Sequence, residues 1–477
     1  MKRREFLQQA AASMGMTVAC GASVCPAAAA SPFAPEQQGS QPRRLDNIIV
    51  IYCDDLGMGD IGPYGSRIPT PNLNRMAEEG VLFKQFYAAP VCSVSRAALL
   101  TGRYGVRGGV PGVQQPGDRY GLSRSETTIA EMLKPRGYKT ACIGKWHLGT
   151  MPQFLPTSRG FDEYFGIPYS NDQNPSVLMR GTEVIETPVD QDTLTSRYTS
   201  EALQFIERNK DTPFFLYFPH SAPHIPLGAS PNFRGKSGLG LYGDAVMEVD
   251  WSTGQILETL KNLNLDDHTL VIFSSDNGPW FQGSPGSLRG RKGQTFEGGM
   301  RVPFIARFPG SLPQNVKVDS FATTMDLLPT IARLAGAALP ANPLDGVDIW
   351  PVLTQELDRV PRPPFLYLHE YDVQCARVGR WKLHVARENA PAYAPAPAEG
   401  RMNLRLITPE LYDVDSDPEE AYSAGADNPR VVQQINQRIA EVLSTMPQQV
   451  QDAWKATLAR PVDPINEGDW PQLAKTP

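Results

Sequence analysis

Two pairs of oxygen-bearing side chains each close an apolar run that is typical of a buried strand. Asp54 and Asp55 close the first run, and Asp276 and Asn277 close the second. Because parallel strands end at the same edge of a sheet, we expect these side chains to lie close together. Three carboxylates and an amide oxygen suit a hard divalent cation, Ca²⁺ or alternatively Mg²⁺. Either pair alone would more often form a turn or a helix cap, but two such pairs favour a metal site.

Cys92 directly precedes a segment with the pattern of a helix, and Arg96 lies one turn into that segment. A helix N-terminus and a nearby arginine both stabilise negative charge. Cys92 therefore lies where a nucleophile that attacks an anionic ester is expected. The segment permits a second interpretation equally well, in which Cys92 is a buried structural residue beside the N-capping Ser93.

The elements that must position these residues follow a regular alternation. Five short apolar runs predict strands buried on both faces of a sheet, at 47–53, 140–143, 213–218, 269–274 and 303–308. Helical patterns lie between them at 127–133 and 196–208, and an apolar stripe with helical period runs from Val246 to Leu263. The alternation predicts an α/β fold with a large, mostly parallel sheet, whose ligands bind beyond the carboxyl ends of the strands.

A proline-rich stretch at 351–364 predicts a domain boundary. Strand and helix patterns follow it: 365–370, a hairpin at 375–385, a strand at 411–413 and a helix at 429–446. We therefore expect a catalytic domain over 43–350. A smaller domain over 365–477 is expected to contain an antiparallel sheet with a terminal helix.

The N-terminal segment resembles a bacterial twin-arginine export signal. Arg3 and Arg4 precede an apolar, alanine-rich stretch that ends at Ala30. We expect residues 1–30 to pass through the twin-arginine translocase and to be cleaved near Ala30, which makes the mature protein periplasmic or secreted. A lipid anchor at Cys20 and a short membrane anchor are the alternatives, but the apolar run is shorter than the roughly 20 residues that a span needs.

Composition limits the remaining function classes. The chain has 45 Lys and Arg against 51 Asp and Glu, a net charge of −6, which excludes a basic nucleic-acid binder. Hydrophobic residues make up 41% and charged residues 20%, as in ordinary globular proteins. No segment after the N-terminal signal has the apolar length of a transmembrane span. Beyond that signal, four cysteines remain, too few for a disulfide framework, and we expect Cys53, Cys142 and Cys375 to be buried.

Three motifs in the same order resemble those of one enzyme family. The segment 92–103 resembles the signature of type I, formylglycine-dependent sulfatases, a Cys-x-Pro-x-Arg core followed by Thr-Gly-Arg. The segment 144–149, Gly-Lys-Trp-His-Leu-Gly, is similar to the second signature of that family. The segment 166–173 is similar to one found in the arylsulfatase A and N-acetylgalactosamine-6-sulfatase branch. The resemblance covers 47–350 and continues weakly into 411–413.

The resemblance implies an alkaline-phosphatase-like fold and a sulfate ester of a small molecule or glycan as substrate. It also implies that a formylglycine-generating enzyme converts Cys92 to formylglycine, whose hydrated aldehyde is the nucleophile. The metal ligands that it implies are Asp54, Asp55, Asp276, Asn277 and the modified Cys92. It gives the other polar residues roles around that nucleophile: Arg96 holds the hydrate, Lys145, His224 and Lys292 contact the sulfate, His147 acts on the second hydroxyl, and Ser170 supports the site.

One position departs from the family pattern and leaves rival functions open. Val94 occupies the third position of the first signature, where the family usually has Pro and less often Ala. A β-branched residue still favours the extended form in which the modifying enzyme reads this segment, although it lacks the fixed φ of proline. The leading hypothesis is a sulfuric ester hydrolase of the arylsulfatase type. The alternatives are a phosphonate monoester or phosphodiester hydrolase on the same fold and a non-catalytic protein that binds sulfated glycans.

Overall fold

The computed structural model describes residues 46–391 and 393–460, in which the strands of two sheets alternate with helices. The strands are β1 (Asn47–Cys53), β2 (Val81–Tyr87), β3 (Lys139–Ile143), β4 (Glu163–Gly166), β5 (Leu178–Arg180), β6 (Glu183–Glu186), β7 (Phe214–Pro219), β8 (Thr269–Ser275), β9 (Arg301–Arg307), β10 (Val316–Thr323), β11 (Phe365–His369), β12 (Asp372–Val378), β13 (Trp381–Glu388) and β14 (Asn403–Asp413). The α-helices are α1 (Pro71–Glu78), α2 (Cys92–Thr101), α3 (Ile129–Leu133), α4 (Leu194–Arg208), α5 (Gly240–Asn262), α6 (Glu297–Met300), α7 (Leu327–Ala335), α8 (Trp350–Leu353), α9 (Pro429–Leu443) and α10 (Gln448–Ala459).

The larger sheet has ten strands in the order β10-β2-β9-β8-β1-β7-β3-β4-β5-β6. Its five central strands, from β8 to β4, run parallel, whereas β9 is antiparallel to both of its neighbours. The predicted α/β fold with a large, mostly parallel sheet is confirmed. The acidic pairs follow β1 and β8, which are adjacent, and this adjacency brings the two pairs to one edge of the sheet.

Strand β1 shows why the central strands are apolar throughout. Its side chains alternate between the two faces, with Ile48, Val50 and Tyr52 in one core and Ile49 and Ile51 in the other. Helices α2, α3 and α7 contribute to the first core, and α1, α4 and α5 contribute to the second. Both faces of the sheet are therefore covered by helices, so no polar side chain alternates with the apolar ones.

Several strands of the larger sheet were absent from the sequence-based prediction. Strand β2 contains Lys84 and Gln85, which interrupt its apolar run. Gln85 is nevertheless buried, and its amide donates a hydrogen bond to Asp415 across 3.0 Å. Strands β5 and β6 are only three and four residues long and form an edge hairpin, where burial imposes little pattern.

The smaller sheet is antiparallel, in the order β11-β12-β13-β14. The predicted hairpin is β12 and β13, and its turn contains Gly379, whose φ of 60° suits glycine. The strand expected at 411–413 is the end of the longer β14. Helix α9 confirms the expected terminal helix, and α10 follows it as a second one; both pack on this sheet.

The predicted export signal, residues 1–30, lies outside the described residues. Within 46–391 and 393–460, no helix combines the length and apolar character that crossing a bilayer requires. Cys53, Cys142 and Cys375 are free and buried, as expected for small apolar side chains.

Candidate active site

The polar residues singled out in the sequence come together where the central parallel strands end. They are supplied by six segments: the N-terminus of α2, the loops after β1, β3, β4 and β7, and the long connection from β8 to α6. Hydrogen bonds and ion pairs of three central carboxylates link these segments to one another. The carboxylates belong to Asp54, Asp55 and Asp276. Residues separated by more than 200 positions thus form one buried cluster.

The three carboxylates are each opposed by a cation. Lys145 donates a hydrogen bond to Asp54, and the guanidinium of Arg96 binds Asp276 through Nε at 3.1 Å and Nη2 at 2.7 Å. Lys292 Nζ lies 2.7 Å from Asp55 Oδ1. Burial and the neighbouring Asp54 carboxylate raise the pKa of Asp276. Asp54 and Asp276 therefore repel each other inside the protein, although each carboxylate has a cation beside it.

Two oxygens of this cluster have the environment of unfilled metal ligands. Asp54 Oδ1 and Asn277 Oδ1 are buried and accept no hydrogen bond from the described residues. Ligand atoms of Asp54, Asp276 and Cys92 lie within 4.8 Å of one another. A buried oxygen without a donor is costly unless a cation or water satisfies it. The residues present thus fit a hard divalent cation bound by oxygen atoms.

Cys92 begins α2 and contacts a histidine from the loop after β3. Its Sγ lies 3.3 Å from His147 Nδ1. His147 Nε2 lies 2.9 Å from the carbonyl oxygen of Gln114, which can only accept, so Nε2 carries the proton and Nδ1 holds the lone pair. Burial, followed by the charges of Lys145 and Arg96, lowers the pKa of His147 well below its ordinary value. The imidazole is therefore neutral, with Nδ1 free to accept a proton from the side chain at position 92.

The unmodified thiol is poorly suited to be a nucleophile. Burial raises the pKa of Cys92, against the opposing influence of Lys145 and Lys292. A cysteine that attacks as the thiolate needs the opposite shift. Of the two interpretations that the sequence left open, the contact with His147 and the carboxylate cluster favours a functional residue, but one whose reactivity does not come from a thiolate.

Arg96 and Lys145 connect helix α2, which carries Cys92, to the loops that follow the strands. Arg96 is fully buried and donates through Nη1 to the carbonyl oxygen of Lys145 at 2.8 Å. Lys145 Nζ lies 3.0 Å from Ser170 Oγ, which places Ser170 beside Asp54. A Cβ at Gly144 would lie 1.8 Å from the carbonyl oxygen of Pro219, so glycine is required where the chain turns from β3 toward Lys145.

His224 and Lys292 both lie next to Asp55. His224 Nδ1 donates to the carbonyl oxygen of Ile225 at 2.5 Å, and its Nε2 is 3.6 Å from Asp55 Oδ2. Burial and the charge of Lys292 lower the pKa of His224. Burial would lower the pKa of Lys292, but Asp55 raises it above the ordinary value of lysine. Lys292 therefore carries its proton, whereas His224 is neutral at pH 7.

The backbone is strained at two of these positions. Asp55 and His147 have φ values of 64° and 59°, in the left-handed region that favours glycine. Such conformations persist only where the surrounding contacts impose them, and they concentrate at functional sites. At Asp55 the constraint is visible, since its backbone N–H donates to Asp276 Oδ1 at 3.2 Å and its carboxylate binds Asn277.

The structure adds one contributor that sequence reasoning missed. Gln114 sets the tautomer of His147 through its backbone carbonyl, and its own N–H donates to Ser93 Oγ at 3.1 Å. No sequence signal could identify it, because any residue type has a backbone carbonyl. His220 is fully buried against Phe218, with ring centroids 4.3 Å apart.

Val94 does not disturb the geometry around Cys92. It lies in the first turn of α2, with only 8% of its surface exposed, and its side chain faces Gly105. This turn tolerates proline and β-branched residues alike, because its backbone N–H groups have no intrahelical acceptor. The departure at Val94 therefore leaves Cys92 and Arg96 where the site needs them.

The smaller sheet supports the segment that carries Lys292 through a buried ionic network. Lys382 Nζ lies 3.0 Å from both Glu297 and Glu420, and all three side chains are fully buried. His384 bridges Glu420 and Cys375, with contacts of 2.5 and 3.1 Å. Glu297 begins α6, five positions after Lys292, so this network stabilises the end of the Lys292 loop.

We expect Lys382→Met to destabilise the protein by about 3 to 5 kcal/mol, because it removes the buried cation that two buried carboxylates share. The measurement is the free energy of unfolding in denaturant. The matched control is Lys84→Met, which removes the exposed Lys84–Asp319 pair and is expected to cost about 1 kcal/mol or less. Equal losses in the two variants would contradict a structural role for the buried network.

The chain matches two family models that together span most of its length. Residues 46–337 match the family described as Sulfatase, and residues 360–471 match the C-terminal region of aryl-sulfatase. Human arylsulfatase A is 38% identical in an alignment 444 residues long, which covers 83% of this chain and 87% of that protein. Human N-acetylgalactosamine-6-sulfatase is 42% identical in an alignment 373 residues long, which covers 71% of each chain.

Solved structures agree with these sequence relationships. A sulfatase studied in the glycosaminoglycan metabolism of Bacteroides thetaiotaomicron superposes with a TM-score of 0.75 at 28% identity, covering 84% of this chain and 99% of the other. A structure named Ps i-CgsB, in complex with a neocarrahexaose, superposes with a TM-score of 0.73 at 29% identity and covers 87% and 98%. The family generally uses a formylglycine and a divalent metal. On the family match, its coverage and the shared architecture, the chain belongs to the sulfatase family of sulfuric ester hydrolases.

Proposed function

We propose that the protein releases inorganic sulfate from aryl or carbohydrate sulfate esters through a formylglycine made from Cys92. The observation that carries the proposal is the position of Cys92, at a helix N-terminus, 3.3 Å from a neutral His147 and within the carboxylate cluster. Residues 43–350 would carry the reaction, and residues 365–477 would support it. The names of the relatives make sulfated sugars the substrate class to test first.

The residues divide the work according to their contacts. Asp54, Asp55, Asp276 and Asn277 would hold Ca²⁺, with Mg²⁺ as the alternative, together with an oxygen of the modified residue. When bound, the cation supplies positive charge that stabilises the negative charge developing on the sulfate oxygens. The formylglycine supplies a hydrated aldehyde, one of whose hydroxyls attacks sulfur while the other allows sulfate to leave afterwards.

The basic residues surround the position of the ester. Lys145 and Lys292 contribute fixed positive charge toward the sulfate oxygens, and Arg96 holds the hydrate in place beside Asp276. His224 Nε2 would contact the sulfate once it carries a proton, which a neighbouring anionic ester favours. Lys292 is protonated, so its Nζ is suited to donate a proton to the departing alcohol. His224 is the second candidate and could act only after its Nε2 has bound a proton, because its Nδ1–H donates to Ile225.

His147 acts on the second hydroxyl of the hydrate. Its Nδ1 holds a lone pair because Nε2 is committed to the carbonyl oxygen of Gln114, so a proton taken from the hydroxyl has a defined destination at Nδ1. Removal of this proton completes the release of sulfate. Ser170 keeps the ammonium of Lys145 oriented by accepting one of its hydrogen bonds.

The sequence supports an exported protein. The paired arginines, apolar stretch and alanine cluster of residues 1–30 are the features of a twin-arginine signal. Cleavage near Ala30 would release the mature chain to the periplasm or the medium. The formylglycine-generating enzyme would act before export, because the folded chain buries Cys92 completely.

The proposal is tested by mass spectrometry of the peptide that spans Cys92, after co-expression with a formylglycine-generating enzyme. We expect an aldehyde at position 92, together with sulfate release from 4-nitrophenyl sulfate and from sulfated sugars. The control is a known sulfatase processed in the same cells. An unmodified thiol at Cys92 beside a processed control would mean that Val94 blocks maturation, and would favour a non-catalytic binder. Faster turnover of a phosphonate monoester than of any sulfate ester would instead identify a phosphonate hydrolase.

A further inference from the structure

Three aromatic side chains form a cluster at the surface next to the Lys292 loop: Trp280, Phe281 and Tyr393. The ring centroid of Phe281 lies 5.0 Å from that of Trp280 and 5.0 Å from that of Tyr393. Phe281 is 51% exposed and Tyr393 is 46% exposed. We propose that this aromatic cluster binds a sugar ring adjacent to the sulfated unit of an oligosaccharide substrate. The inference rests on the proposed function and names a subsite for its substrate.

Backbone hydrogen bonds place the cluster beside the active site. Trp280 follows the metal-ligand candidate Asn277 by three positions. The N–H of Lys292 donates to the carbonyl oxygen of Pro279 at 3.2 Å. Arg291 Nη1 donates to the carbonyl oxygen of Trp280 at 2.9 Å. The segment that carries the rings is thus bound directly to the segment that presents Lys292 to Asp55, so the cluster lies beside the sulfate position rather than on a remote surface.

The cluster is assembled from two distant parts of the chain. Trp280 and Phe281 belong to the loop after β8, whereas Tyr393 belongs to the long connection between β13 and β14 in the smaller sheet. Elsewhere in 46–391 and 393–460, the exposed aromatic side chains are Tyr120 and Tyr422, and neither has a ring partner there. Exposed apolar surface assembled from separate loops is typical of a binding surface, whereas single exposed aromatic residues need no explanation.

The chemistry of the cluster fits a sugar ring of an anionic glycan. Sugar rings present C–H groups on their faces, and these pack against the electron-rich faces of aromatic rings. The guanidinium carbon of Arg291 lies 5.5 Å from the Phe281 centroid, so positive charge lies next to the rings. The surface is open to solvent on the side of Phe281 and Tyr393, which suits a chain that extends beyond the site. A small aryl sulfate has its only ring at the ester, so we expect it to make no use of this cluster.

The test compares substrates that differ only in length. From a panel of chondroitin, heparan and carrageenan oligosaccharides, the one that the wild-type holoenzyme desulfates fastest is paired with its own sulfated monosaccharide and with 4-nitrophenyl sulfate. We expect the double variant Phe281→Ala/Tyr393→Ala to raise KM for the oligosaccharide about tenfold and to leave its kcat within about twofold. KM for the two short substrates should stay unchanged within the same twofold. Tyr422→Ala, an exposed aromatic residue without a ring partner, is the matched control and should change none of these values.

Each other result overturns one specific claim. An unchanged KM for the oligosaccharide in the double variant, or equal rises for the long and short substrates, would refute the subsite. Absence of sulfate release from every substrate would refute the proposed function instead, and calorimetric titration of the same oligosaccharides would then test the cluster separately. Binding by the wild type that the double variant loses would support the subsite, whereas no binding by the wild type would refute it.

Discussion

Cys92→Ala is expected to abolish sulfate release, lowering kcat by about 10⁴-fold or more, because it removes the only group placed to become the nucleophile. The fold should be retained, since alanine fits the first turn of α2 and Cys92 contributes no hydrogen bond to the backbone there. The measurement is sulfate release under single-turnover conditions, with circular dichroism to verify the fold. Cys142→Ala, which truncates a buried cysteine in the core instead, should keep full activity and serves as the control.

Cys92→Ser distinguishes the hydrated aldehyde from a simple nucleophile. A serine Oγ could attack sulfur and release the alcohol, but the resulting sulfate ester has no second hydroxyl from which sulfate can be expelled. We expect at most one equivalent of alcohol per enzyme and a protein mass increased by one SO₃ group. Continuous turnover by Cys92→Ser, or undiminished turnover by Cys92→Ala, would disprove the proposed chemistry.

Asp54→Ala and Asp276→Ala are expected to eliminate metal-dependent activity. Asp54 Oδ1 is buried and accepts no hydrogen bond from the described residues, which is the environment of a metal-ligand oxygen. A carboxylate oxygen of Asp276 lies within 4.8 Å of a carboxylate oxygen of Asp54, so both could bind one cation. Because removal of Asp276 also strands the buried guanidinium of Arg96, the isosteric Asp54→Asn and Asp276→Asn variants should be made in parallel. We expect each to lower kcat by about 10³-fold or more and to reduce the bound metal, measured by elemental analysis.

The control for these variants is Asp250→Asn, which makes the same chemical change at another buried carboxylate. Asp250 accepts hydrogen bonds from Asn72 and from the N–H of Leu73 and lies outside the cluster. It should lower stability slightly and leave metal content and activity unchanged. Chelation followed by addition of Ca²⁺ or Mg²⁺ to the wild type identifies the ion. Activity that persists in Asp54→Ala or Asp276→Ala would remove the metal assignment.

The parts of the fold that were predictable share a physical property. Strand β1 is buried on both faces, so its residues after Asn47 form a continuous apolar run, and such a run differs from its surroundings. Strand β2 is also paired on both sides but lies second from one edge of the sheet, and it contains the exposed Lys84 and the buried, hydrogen-bonded Gln85. Local composition cannot anticipate Gln85, because its burial depends on Asp415, more than 300 positions away.

For the site, residue types and their order were sufficient to identify the family and most of the polar groups. The pairs at Asp54 and Asp276 indicated a hard cation from their chemistry alone, and the signature around Cys92 indicated the nucleophile. The type of each side chain and its position in the chain can be read directly from the sequence. The sequence by itself therefore determined which groups the site would contain and which fold would bring them together.

Only the tertiary structure decided how those groups are arranged. The tautomer of His147 depends on the carbonyl oxygen of Gln114, and the protonation of Lys292 depends on Asp55, 237 positions away. The aromatic cluster likewise exists only because the loop that carries Tyr393 meets Phe281. Protonation and access depend on burial and on distances of a few ångströms, and these are set by long-range packing.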